Sequence, residues 1–89
     1  MMEMHVATRS VTDEAGQTRT YRYCLLVELI ETDRFTCEDY GVRITEEGGD
    51  TAAIRGITIS AVRIDELLSL LVDHLVGPTA LPDVVQDWL

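Results

Sequence analysis

From Ser60 to Leu75 the chain carries its one strong helical periodicity, and any fold it adopts must bury the resulting stripe. At 100° per residue Ala61, Ile64, Leu67, Leu68, Leu71, Val72 and Leu75 fall on one face, with Arg63, Asp65, Glu66, Ser69, Asp73 and His74 on the other. This predicts an amphipathic helix over about residues 61–76. Its ends are written in the sequence as well. Ser60 offers an N-cap oxygen, Asp65 and Glu66 sit near the positive end of the dipole, and Gly77-Pro78 is expected to supply a left-handed exit and a block to continuation. A helix of this length is marginal alone in water, so it needs a sheet to cover.

The preceding residues supply the strands. Residues 4–11 alternate weakly and predict a first strand at a sheet edge, followed by a polar turn at Asp13–Gln17. Tyr21, Tyr23, Leu25, Val27 and Leu29 then alternate over a long second strand, and Tyr40, Val42 and Ile44 over a third. A two-residue loop at Asp33-Arg34 sets Val27 against Tyr40, Leu25 against Val42 and Tyr23 against Ile44, all on one face. The same register puts Glu28 opposite Asp39, which is unfavourable for like charges. Gly48-Gly49-Asp50 closes the next hairpin. In the fourth strand Ile54 has one parity while Ile57 and Ile59 have the other, so a β-bulge is expected at Arg55-Gly56. Near the end, Leu81-Pro82-Asp83 opens a second short helix over about 82–89, whose Trp88 is expected to dock on the first helix or the sheet edge. The fold class is therefore α+β: a four-stranded antiparallel meander with one face covered by a C-terminal helix. Eighty-nine residues suffice for one domain, 1–89, and one core.

Composition removes several classes of function. A net charge of −9 leaves no cationic excess to release counterions, so no binding to nucleic acid or to an anionic membrane surface is expected. No apolar run reaches the roughly 18 residues that a membrane helix needs. The beginning, with Glu3 and no long apolar run, is not read as a signal peptide. Cys24 and Cys37, with only His5 and His74 beside them, form no ligand cluster of metal spacing, so no metal and no cofactor are expected. A cytoplasmic protein with reduced thiols follows.

The tract Tyr40-Gly41-Val42-Arg43-Ile44, the lead Ile57-Thr58-Ile59-Ser60 into a Leu-rich helix, and the closing Pro78, Leu81, Asp83-Val84-Val85 and Asp87-Trp88-Leu89 resemble a family of short bacterial proteins. That family is common in Gram-positive anaerobes and carries only a domain-of-unknown-function label. The resemblance covers about residues 20–89 and leaves the first strand outside. It implies bacterial origin and an intracellular location, and it brings no catalytic or binding residue.

Two sets of residues can carry a function on the sheet face away from the helix. Arg22, Arg43 and Arg55 share that face in the registers above, a small cationic spot suited to a carboxylate or phosphate ligand. Against this stands ordinary pairing of the arginines with Glu28, Asp39 or Glu46. Cys24, Leu26 and Ile30 lie on the same face and form a candidate apolar interface for a homodimer or another protein partner, the other reading being that the second helix or the N-terminal strand folds over them. Cys24 and Cys37 are expected to remain free thiols. Asp83 and Asp87, one helical turn apart, are too few ligands for a hard cation. No catalytic residue is assigned, since Ser60, Thr58 and the cysteines lack a neighbouring base and orienting group. The residues point to an interaction or regulatory module without catalysis, with an anion-binding protein as the alternative.

Overall fold

The structure, a computed structural model, describes every residue from Met1 to Leu89. Four strands, β1 (Met2–Thr12), β2 (Thr18–Glu31), β3 (Thr36–Glu46) and β4 (Thr51–Thr58), pair antiparallel in the order β1-β2-β3-β4. Two helices follow, α1 (Ala61–Asp73) and α2 (Leu81–Trp88), with a single 3₁₀ turn at Pro78–Ala80 between them. The α+β meander is as the sequence predicts.

The β2–β3 register is the one fixed by keeping the apolar residues on one face. Val27 pairs with Tyr40, Leu25 with Val42 and Tyr23 with Ile44. The Thr32 N–H donates to the Phe35 carbonyl at 2.8 Å, leaving Asp33-Arg34 as a two-residue loop. Glu28 does face Asp39. The repulsion is relieved from the neighbouring strand, because Arg55 of β4 reaches the Glu28 carboxylate.

The predicted bulge is present in β4. Val42 pairs with Ile54 and Tyr40 with Thr58, so Arg55, Gly56 and Ile57 all stand opposite Gly41. Gly56 takes a φ of +64°, a left-handed conformation that costs other residues about 1–2 kcal/mol. The extra backbone folds over Gly41, where a Cβ would lie 2.8 Å from the Arg55 Cα. Only glycine admits so close an approach.

The core lies between one part of the sheet and the helices. Tyr21, Tyr23, Val42 and Ile44 meet Ile64, Leu67, Leu68 and Leu71 of α1, with Val76, Leu81 and Val85 closing the end. Ser60 caps α1 as expected, its Oγ accepting from the Arg63 N–H at 3.2 Å. The C-terminus differs from expectation in detail. α1 stops at Asp73, and the left-handed residue is Leu75 (φ 53°), while Gly77 is extended. The Leu75 N–H donates to the Val72 carbonyl and the Val76 N–H to the Leu71 carbonyl, a Schellman closure. Turning early points the Val76 side chain into the core and offers its carbonyl to the buried Tyr23 hydroxyl at 2.9 Å. Those two gains offset the strain at Leu75. Trp88 docks on α1, its ring 4.3 Å below the Arg63 guanidinium carbon.

Two further departures matter for function. β1 is longer than predicted, and its pairing with β2 shifts register between His5 and Ala7. The molecule is also elongated, 55 × 23 × 17 Å. Fourteen residues of β2 extend about 46 Å at a strand's rise, whereas thirteen residues of α1 span about 20 Å. The helices therefore cover only part of the sheet.

Candidate functional site

The three arginines proposed for an anion site do not converge as free cations. Arg43 Nη1 lies 2.6 Å from the Glu3 carboxylate, and Arg55 is bound to Glu28. The Arg55 guanidinium holds the Glu28 carboxyl below its usual range, chiefly by a direct hydrogen bond. Arg22 is exposed, with Cys24 and Thr45 as its neighbours in the sheet, and makes no ion pair. The partner of Arg43 comes from β1, outside the carboxylates considered from the sequence. Arg19 meets Glu46 at 3.6 Å.

The same ion pairs explain the apolar residues of that face. Cys24 is opposite Arg43 on one side and His5 on the other, and Leu26 is opposite Gly41 and Glu3. The Arg43–Glu3 pair thus spans β2 from one neighbouring strand to the other, and the β4 bulge folds over Gly41 beside Leu26. Leu26 is 1 % exposed and Cys24 is also buried. Burial pushes the Cys24 thiol upward, and Glu3 adds to the shift. Of Cys24, Leu26 and Ile30, only Ile30 reaches the surface. An open apolar patch made of all three, as expected from alternation alone, is corrected by the structure: side chains and backbone of the same chain close it. Both cysteines are free thiols.

Ile59, Val62 and Leu89 are exposed singly, and a grouped set of exposed apolar residues lies on the other face, beyond the end of the helices. Met2 pairs with Val27 and Met4 with Leu25, so both methionines project to the α1 side, as does Leu29 farther along β2. Met2, Met4 and Leu29 are about half exposed or more, and Phe35 at the β2–β3 turn is 58 % exposed. Val6 at the irregularity in β1 is also open. Alternation placed Leu29 on the core face, but it could not show that α1 ends before reaching it. The signal available in the sequence was length: the alternating run Tyr21–Leu29 extends about 30 Å and a helix over 61–76 about 24 Å, so the helix cannot cover the whole run.

Where β1 passes α1, Val6, Ala7, Leu68 and Val72 line an open cleft of about 160 Å³, with Asp65 and Asp73 among its lining residues. Arg9 spans the same gap, donating to the Val72 carbonyl at 3.1 Å. No three His, Cys, Asp or Glu side chains converge in a geometry that would hold a metal ion. No helix is long and apolar enough to cross a membrane.

A family model described as a family of unknown function (DUF6514) matches residues 2–89. The chain belongs to that family. The match takes in all of β1, which the resemblance seen in the sequence left outside, so the strand carrying Glu3, Met2 and Met4 is part of the DUF6514 domain. Searches of curated proteins and of solved structures give no match.

Proposed function

We propose that this DUF6514 chain is a protein-interaction module without catalytic activity, and that it associates with a second copy of itself through the end of the sheet that α1 leaves bare. The observation that carries this is the run of Met2, Met4, Leu29 and Phe35, all largely exposed at one end of an otherwise packed sheet. Scattered apolar residues need no partner, but a grouped set of this kind marks a contact surface. The outer face supports an anion site less well, because Arg43 and Arg55 are already neutralised by Glu3 and Glu28. We further propose a bacterial, cytoplasmic setting, which the free thiols of Cys24 and Cys37 support.

Light scattering at tens of micromolar tests the association. A dimer mass is expected, and Met2→Glu combined with Leu29→Glu should weaken association by about tenfold or more, the effect of losing roughly 1.4 kcal/mol of contact. Neither side chain belongs to the core cluster, so the variant should stay folded. A monomer mass for the unmodified chain at every concentration overturns the proposal.

A further inference from the structure

The two edges of the sheet are built differently. At β4 three residues crowd opposite Gly41 and Gly56 turns left-handed, a bulge of the kind that deters another strand. At β1 ten of the eleven residues pair with β2 on one side only, and the strand contains neither Pro nor Lys. An edge of that length, free of Pro and Lys and broken only by the one-residue irregularity at Val6, is a template for a strand that can match that irregularity.

The irregularity at Val6 narrows what can be added. On one side of it Met2 and Met4 share the α1 face and Glu3 and His5 the other. After it Ala7, Arg9 and Val11 take the α1 face and Thr8, Ser10 and Thr12 the outer face. A regular partner strand can follow the whole edge only by absorbing the same one-residue register shift that β2 absorbs between Cys24 and Tyr23. A second β1 carries the same irregularity. Run antiparallel about a two-fold axis normal to the sheet, two copies match faces throughout when Met2 stands opposite Val11, Glu3 opposite Ser10, Met4 opposite Arg9 and His5 opposite Thr8. No like charges meet in that register. A register centred on Glu3 would set that carboxylate against itself and engage only the first few residues.

We infer that the second copy joins through β1 in this antiparallel register, making one continuous eight-stranded sheet. The pairing rests on the self-association proposed above. It also gives the bare end a cover: Met2 and Met4 come alongside Val11 and Arg9 of the second copy. Val11 packs against the core there, and Arg9 is bound to α1 through the Val72 carbonyl. Each uncovered sheet end thus lies beside the helix layer of the other copy.

Sedimentation and hydrogen exchange on the unmodified chain, measured together over a range of concentrations, provide the test. As dimer forms, amides within Met2–Thr12 should exchange at least about tenfold more slowly, because the open edge becomes hydrogen-bonded. Spin labels on Thr8→Cys and on Thr12→Cys, each in a Cys24→Ala/Cys37→Ala background, give the register. Along the strand, Thr8 lies about 10 Å from its mate and Thr12 about 36 Å in this pairing. A dimer whose new protection is confined to Leu29–Phe35, or whose label distances do not lengthen from Thr8 to Thr12, overturns the β1 pairing and leaves self-association standing. A monomer at all concentrations overturns both. Should the labelled variants fail to fold, exchange on the unmodified chain decides alone.

Discussion

Along β2 one alternating pattern meets two environments. Tyr21 and Tyr23 are buried beneath the helices, whereas Leu29, on the same face and only a few residues on, is 62 % exposed. The residue types are alike in what they ask of a fold. What differs is reach: α1 lies across one part of the sheet, and β2 continues past it. Alternation in a strand identifies a face. Whether that face is covered depends on an element elsewhere in the chain, and in this protein the cover runs out.

The contrast can be broken most directly by truncating one residue at each end. Leu67→Ala, at a fully buried site, should cost about 2–5 kcal/mol, counting both lost transfer energy and the cavity left behind. Leu29→Ala should cost about 0.5 kcal/mol or less at concentrations where the chain is monomeric. Denaturant titration measures both, and similar losses would mean that the two ends are not different environments.

A smaller effect sharpens the same boundary. Tyr23→Phe removes the hydroxyl that donates to the Val76 carbonyl and leaves that oxygen unpaired, at about 1–3 kcal/mol. Burial, with Tyr21 beside it, pushes the Tyr23 phenol up to about 12 against an ordinary value of 10.0. The fold therefore favours the neutral phenol. Its contribution to stability is fully present below pH 10 and is lost as pH rises from about 10 to about 12. Alkaline unfolding followed by circular dichroism should show that decline in the unmodified chain and a shallower one in Tyr23→Phe. Equal slopes would detach the core from the titration. The least effect belongs to the outer face: Glu3→Gln breaks a partly exposed ion pair and should cost up to about 1 kcal/mol, with salt reducing the difference. A salt-independent loss would mean that Glu3 acts by packing over Leu26 instead of by charge.

Much of the fold was legible because local rules agreed. The β2–β3 register followed from keeping Tyr23, Leu25 and Val27 on one face, and the β4 bulge from the clash of parity between Ile54 and Ile57. Ser60 announced the start of α1 by its position alone. The end of α1 was harder, since the choice of Leu75 over Gly77 as the left-handed residue depends on Tyr23, more than fifty residues away in sequence. The site was the least legible part. Closing of Cys24 and Leu26 required knowing that Glu3 would reach across β2 to Arg43, a pairing between strands whose relative register no local pattern encodes. The irregularity at Val6 left no mark that weak alternation in β1 could reveal.

Gly41 has a consequence beyond the fit of one bulge. By letting the β4 backbone fold over it, this residue admits a bulge of the kind that deters a neighbour, so that under the β1 pairing inferred above only the opposite side of the sheet is left for growth. A sheet with two receptive sides can grow without limit into a ribbon. A sheet with one can grow only once, because joining consumes the sole growth point and leaves two capped ends. Under that pairing the missing Cβ at position 41 acts as a chain terminator, setting the largest sheet this domain can build.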